Sequence, residues 1–163
     1  MVRSVVIAAV AAISLAGVTL VGVASGGATA TKQRVAIDGK FSPNEEKGTF
    51  KLIALSGGTL KGESGTLTGQ GRIAAPVVRK NGQEFTAVTG SDTYKSASGT
   101  LTVSQRIEIV EAGRGYYVNT GTWKVVSGTG AYEGYVGGGT FVAAEPPNGG
   151  VLFFREEGYL TKS

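Results

Sequence analysis

The chain contains no histidine and no cysteine, and this limits the chemistry that its side chains can perform. Ser-His-Asp catalysis, imidazole general bases and most zinc sites depend on these residue types. Three glycines at 137–139 are not followed by the Lys-Ser or Lys-Thr of a phosphate-binding loop. The sequence therefore favours either acid–base work by carboxylates or an apolar cavity with few polar groups, with no metal and no other cofactor expected.

Several polar side chains occur on strand faces that are otherwise apolar. Gln105, Asn119 and Glu63 each follow the alternation of apolar neighbours, so they are predicted to face the interior. A buried polar group costs about 2 kcal/mol or more unless it is paired. We therefore expect these residues to pair with one another, to lie at the mouth of the domain, or to orient a mostly apolar ligand.

Aromatic residues on the same predicted faces would line such a cavity. The candidate ligand-binding residues, which share a predicted inward orientation, are Glu63, Gln105, Tyr117, Asn119, Trp123 and Phe153. The segment 151–157 must also turn a charged side chain inward if its strand continues regularly. The sequence assigns no catalytic residue.

Two strands that carry most of these candidates have a clear pattern. Residues 101–109 alternate between apolar and polar side chains, which is typical of a strand with one buried and one wet face. Residues 116–126 continue the pattern after the Gly-Arg-Gly sequence at 113–115. The two segments are therefore predicted to form a hairpin.

Further turns and strands follow from glycine, asparagine and proline. Asn81-Gly82 is a strong hairpin signal, with both residues expected at positive φ, and the Pro-Pro-Asn-Gly-Gly sequence at 146–150 separates two more strands. Additional strands are predicted near 49–55, 66–73, 140–144, 151–154 and 158–162.

The number and order of these strands indicate an all-β fold. About eight short strands, with no sustained helical periodicity, suit a sandwich or a barrel. We predict a closed antiparallel eight-stranded β-barrel, because closure removes the exposed strand edges of a protein that has no disulfides.

The first thirty residues resemble an export signal. Arg3 precedes an apolar run, which ends in small residues and an Ala-x-Ala pattern at 28–30. We expect cleavage after Ala30, so that residues 1–30 are a signal peptide and residues 31–163 are one secreted β-barrel domain. An uncleaved anchor is the alternative, because the run approaches the roughly 20 residues of a spanning helix.

The charge pattern does not indicate nucleic acid as a partner. The formal net charge is +4, and both signs are interspersed without a run of Lys or Arg. We expect no nucleic-acid partner and, once the signal is removed, no membrane association.

Residues 121–140, GTWKVVSGTGAYEGYVGGGT, resemble the signature stretch of the allene oxide cyclase and dirigent superfamily. The resemblance implies an eight-stranded antiparallel barrel, often trimeric, whose hydrophobic cavity holds a reactive intermediate while it cyclises or couples. Such a protein restricts conformation and needs no metal. The acidic and basic cavity residues of that superfamily do not align with this chain, so none is transferred.

Gly121-Thr122-Trp123 also resembles the Gly-x-Trp of lipocalins and avidin-like proteins, where it opens the first strand, and this second resemblance likewise implies a ligand-binding barrel. The leading hypothesis is a secreted barrel that binds a small apolar or aromatic molecule. If it is an enzyme, it would be a cofactor-independent isomerase or cyclase. The alternative is a non-catalytic structural or interaction domain at the cell surface whose barrel is filled by side chains.

Overall fold

The computed structural model describes residues 31–163, and nine β-strands account for most of them. The strands are β1 (Lys32–Ser42), β2 (Lys47–Ala54), β3 (Glu63–Ile73), β4 (Val77–Val78), β5 (Glu84–Lys95), β6 (Gly99–Gly113), β7 (Tyr116–Gly130), β8 (Tyr135–Glu145) and β9 (Leu152–Lys162). No helix occurs in this part of the chain, so the all-β prediction is confirmed. The signal-peptide prediction for residues 1–30 lies outside the described residues.

All neighbouring strands pair antiparallel, and their hydrogen bonds run round in a ring. The order is β3-β2-β1-β9-β8-β7-β6-β5, and β3 then pairs with β5. This last pairing extends from Thr66↔Lys95 to Ile73↔Val88. The short strand β4 adds to β5 outside the ring.

The hairpins form where the turn residues predicted them. β6 and β7 pair around Arg114, which has a φ of 55°, and Gly113 and Gly115 are also at positive φ. Around Asn81-Gly82, β4 pairs with β5, but only Gly82 has positive φ. The Gly82 amide donates to the Arg79 carbonyl at 2.9 Å, so Lys80 and Asn81 are the central residues of this turn.

The strands differ from the predicted ones in three main places, and the first is β1 (Lys32–Ser42), which the sequence analysis did not predict. The segments predicted as separate strands near 151–154 and 158–162 are one strand, β9. The chain from Thr86 to Lys95 belongs to β5, which continues well beyond the predicted hairpin. Its glycine, serine and aspartate residues have low strand propensity, so pairing with both β3 and β6 determines this structure.

One end of the ring is filled by side chains and by the loop 55–62. Leu60 of this loop is buried, and its backbone exchanges two hydrogen bonds with the buried side chain of Gln33, of 2.8 and 3.1 Å. Tyr132 and Tyr135 are buried in the same apolar cluster. We call this end the Leu60 end.

The opposite end, which we call the mouth, carries the turns 43–46, 113–115 and 146–150. Because every neighbouring pair is antiparallel, strands that run toward the mouth alternate round the ring with strands that run away from it. Among residues 31–163, no helix is long and apolar enough to cross a membrane.

Candidate functional site

A pocket of about 370 Å³ opens at the mouth. Its walls are mainly apolar and include Phe41, Phe141 and Phe154. Phe141 and Phe154 stack with their ring centroids 5.9 Å apart. A concave, mostly apolar space with a few polar groups is the usual form of a small-molecule site.

Glycines on the inward face provide the space for this pocket. Gly69 and Gly90 stand at inward positions of β3 and β5 and line the cavity. A Cβ atom at Gly69 would lie 2.5 Å from Asp92 Oδ1 and 3.1 Å from Phe41 Cζ. At Gly90 it would lie 2.6 Å from the Gln70 carbonyl oxygen. Larger residues at these positions would therefore fill the pocket or displace its walls.

The floor of the pocket is a hydrogen-bonded group of three side chains from three strands. Gln105 of β6 donates through Nε2 to Asp92 Oδ2 of β5, at 2.8 Å. The same nitrogen donates to Glu156 Oε1 of β9, at 2.7 Å. Asp92 and Gln105 line the pocket, whereas Glu156 is fully buried beneath them. We call Asp92, Gln105 and Glu156 the floor triad.

Burial of the floor triad changes the protonation of both carboxyl groups. Desolvation raises the pKa of Glu156 to about 8, with the Gln105 hydrogen bond opposing this and the charge of Asp92 adding to it. Desolvation also raises the pKa of Asp92 to about 6, against the hydrogen bond from Gln105. At pH 7 the pair therefore holds one ionised carboxylate, mainly Asp92, and one proton, mainly on Glu156.

Four buried polar atoms of the interior meet no hydrogen-bond partner among residues 31–163. They are Tyr94 Oη, Asn119 Oδ1, Trp123 Nε1 and Glu156 Oε2. Burial and the nearby carboxylates Glu156 and Asp92 raise the pKa of Tyr94 well above its usual value, so its hydroxyl stays protonated. Of these four atoms, Asn119 Oδ1 is the one whose residue lines the pocket, and an unsatisfied buried polar group calls for an explanation, such as a ligand.

Two of the six candidate residues line this pocket. Gln105 and Asn119 are buried and face the cavity, as their alternation predicted. Trp123 is also buried on the inward face, where its register partner is Gln105. However, Trp123 packs in the apolar core on the Leu60 side of the pocket and is not part of the pocket wall.

The other three candidates lie elsewhere. Phe153 is 64% exposed, so the prediction that it faces the interior is wrong, and its neighbour Phe154 takes that place. Because alternate side chains of a strand point to opposite faces, a shift of one residue in the assumed alternation reverses every orientation. Tyr117 follows the inward alternation of β7 but lies near the end of the strand, where it is 37% exposed and outside the pocket.

Glu63 is at the start of β3, away from the mouth. Its carboxylate accepts a hydrogen bond from the Tyr132 hydroxyl. Burial raises the pKa of Glu63, but this hydrogen bond and others from Ser96 and Ser98 outweigh it, so the pKa is lowered overall. Glu63 therefore belongs to a polar cluster at the Leu60 end and not to the pocket.

Sequence reasoning missed the two carboxylates of the floor triad. It did predict that 151–157 turns a charge inward, but the alternation that includes Phe153 points to Arg155 and Glu157 instead of Glu156. Arg155 and Glu157 lie on the outer face, where Arg155 forms ion pairs with Asp38 and Glu157, both at 2.8 Å. Asp92 is two residues from Tyr94, so the two side chains lie on the same face of β5. The inward position of Asp92 could therefore have been inferred if 86–95 had been predicted as a strand.

A second depression, of about 570 Å³, lies against β5, β6 and β7. It is wide open, and none of its lining residues is buried. Of the charged side chains there, Arg106 is exposed, and Glu108 is half-exposed and forms an ion pair with Arg79. The mouth pocket is therefore the better candidate site, despite its smaller volume.

Comparisons of the chain with protein-family models, curated proteins and solved structures gave no significant match in any of the three.

Proposed function

We propose that the protein is a closed eight-stranded β-barrel whose mouth pocket binds a small, mostly apolar or aromatic molecule. The floor triad carries this proposal, because it sets hydrogen-bonding groups at the base of an otherwise apolar cavity. The β3–β5 pairing, which completes the ring of strands, supports closure. The resemblance of 121–140 to the allene oxide cyclase and dirigent superfamily supports the same fold and the same kind of ligand.

Calorimetric titration with naphthylmethanol, a neutral aromatic alcohol, tests binding in the pocket. The variant Ile109→Trp enlarges a side chain of the pocket wall, so it should weaken binding at least about tenfold. Val110→Trp is the matched control, since it introduces the same side chain one residue away on the other face of β6. Equal binding by both variants, or no saturable binding to the wild type, would contradict the proposal.

Cofactor-free isomerisation is a second candidate function. It is favoured by Asp92, which lines the pocket and whose pKa, raised to about 6, makes it a base at neutral pH. Exchange of the α-protons of phenylacetone in deuterium oxide, followed by NMR, tests this. Asp92→Asn should abolish the exchange, and Asp38→Asn on the outer face should not.

The structural alternative also has an observation in its favour. Tyr94, Trp123 and Tyr132 fill the interior on the Leu60 side, as in a barrel that has no ligand. The pocket at the mouth favours binding over this alternative. Failure of every apolar and aromatic probe to bind would favour a non-catalytic domain at the cell surface.

Export and self-association are part of the same proposal. Secretion rests on the sequence of residues 1–30, and N-terminal sequencing of exported protein should begin at Thr31. A trimer is implied by the resemblance, and the exposed apolar side chains Val118, Val142 and Phe153 on β7–β9 support a contact surface. Sedimentation measurements across a range of concentrations test the assembly.

A further inference from the structure

The charged side chains that line the pocket are all acidic. They are Glu46, Asp92 and Glu145, and no Lys or Arg belongs to the lining that the structure describes. Glu156 lies beneath the floor and adds a fourth carboxyl group. The chain as a whole has a formal net charge of +4, so the pocket has the opposite sign to the protein. A pocket of this kind attracts cations and repels anions.

An unpartnered acceptor points to the same class of ligand. Asn119 is 4% exposed, lines the pocket and has no hydrogen-bond partner for Oδ1 among residues 31–163. This oxygen is an acceptor, so it favours a ligand that carries N–H donors over one that carries only acceptors.

The rest of the pocket suits the apolar part of such a ligand. Phe41, Phe141 and Phe154 offer ring faces and edges to an aliphatic or aromatic body. Ring faces also attract an ammonium group during its passage from the mouth to the floor. A carboxylate or phosphate ligand would be repelled by Asp92, and the described lining contains no Lys or Arg to pair with it.

We propose that the natural ligand of the pocket is an apolar or aromatic amine, whose ammonium group binds at Asp92 with its apolar body against the phenylalanines. This inference depends on the proposed binding function and specifies its ligand class. Asp92 is the ion-pair partner, because it is the charged residue that belongs to both the pocket lining and the floor triad. Charge-assisted hydrogen bonds of this type are about twice as strong as neutral ones.

The proposal implies that binding depends on pH. The titratable groups that face Asp92 are Tyr94 on its own strand and Glu156 from β9, with Glu145 and Glu46 nearer the mouth; Gln105 on β6 is neutral. An aliphatic amine stays protonated up to about pH 10. Affinity should therefore rise between pH 5 and pH 8 as the carboxyl groups of the floor triad lose their protons.

Three compounds that share one ring system separate charge from shape: naphthylmethylamine, naphthylmethanol and naphthoate. Titrated calorimetrically at pH 8, the amine should bind the wild-type protein at least about tenfold more tightly than the alcohol, and naphthoate should bind most weakly. Asp92→Asn should reduce the affinity for the amine about tenfold more than the affinity for the alcohol, because the alcohol carries no charge with which Asp92 could pair. Asp38→Asn, on the outer face, is the matched control and should change neither.

The outcomes distinguish this inference from the binding function itself. If the alcohol binds the wild type as tightly as the amine, or if Asp92→Asn leaves the preference for the amine unchanged, the amine proposal is overturned and the binding function stands. If none of the three compounds binds saturably, both are overturned.

Discussion

Gln105 and Glu156, 51 residues apart in sequence, meet inside the ring of strands with the amide nitrogen 2.7 Å from the carboxylate oxygen. The contact joins β6 to β9 across the interior, since these strands are not neighbours in the sheet. The same nitrogen binds Asp92, so one neutral side chain links two acidic ones. Without this donor, two carboxyl groups would face each other in a poorly solvated space, which is strongly unfavourable when both are charged.

The buried Glu156 should make stability fall as the pH rises. Its pKa in the folded protein is about 8, above the ordinary value of 4.5, so the folded state holds its proton more firmly than the unfolded state does. The stabilising effect of that proton is complete below about pH 4.5 and is lost as the pH approaches 8. Each pKa unit corresponds to about 1.4 kcal/mol. In Glu156→Gln this part of the loss should disappear, and only the smaller loss from Asp92, whose pKa is raised to about 6, should remain. Urea unfolding at pH 5 and pH 9 measures the difference.

Glu157→Gln is the matched control, because it makes the same chemical change at the next residue on the opposite face. Hydrogen bonds from Arg155 and then Arg34 lower the pKa of Glu157, so its charge is favoured in the folded state. Its removal should therefore slightly destabilise the protein at neutral pH, the opposite sign to Glu156→Gln. A parallel loss of stability with pH in wild type and Glu156→Gln would show that Glu156 is not the responsible group.

Phe153 and Phe154 should differ sharply when each is replaced by alanine. Phe154 is 6% exposed and stacks on Phe141, so Phe154→Ala should cost about 3 to 5 kcal/mol of unfolding free energy. Phe153→Ala should change it by about 0.5 kcal/mol or less, since Phe153 is mainly exposed. Chemical denaturation of the two variants decides between the orientations, and similar effects would contradict the alternation of β9 described above.

The sequence predicted the strands that contain strong local signals. The β6–β7 hairpin follows from regular alternation and a glycine turn, so the inward positions of Gln105, Asn119 and Trp123 could be inferred correctly. These inferences need only neighbouring residues, because the two faces of a strand are set by its own periodicity.

Features that depend on contacts between distant segments could not be predicted in this way. In 151–157 both alternations contain apolar residues, since Leu152, Phe153 and Phe154 are consecutive, and only pairing with β1 and β8 decides which face is buried. The grouping of Asp92 with Glu156 likewise depends on the curvature of the whole ring. The prediction that Glu63 lines the pocket is wrong for the same reason. Alternation indicates the face of the strand on which Glu63 lies, but it does not indicate whether that end of β3 is near the mouth.

Gly69→Ala should disturb the pocket without changing the surface of the protein. The added Cβ would lie 2.5 Å from Asp92 Oδ1 and 3.1 Å from Phe41, so the Asp92 carboxyl group or the ring must move. We expect a loss of about 1 to 3 kcal/mol in stability and weaker binding of naphthylmethanol. Gly57→Ala is the control, because a Cβ there meets no atom within 4 Å. Equal stability of the two variants would show that Gly69 is not tightly packed.

Gln105→Leu and Asn119→Leu should have different effects on stability, although both replace a buried amide that lines the pocket. Gln105 donates a hydrogen bond to both carboxyl groups of the floor triad. Its loss removes a donor from Asp92 and from Glu156, which should cost about 1 to 3 kcal/mol and raise the pKa of both. Asn119 Oδ1 has no partner to lose, so Asn119→Leu should be nearly neutral or slightly stabilising. Urea unfolding at pH 7 compares the two, and the pKa values follow from NMR titration of the carboxyl carbons. A greater loss of stability in Asn119→Leu than in Gln105→Leu would mean that the amide of Asn119, and not that of Gln105, holds the polar interior together.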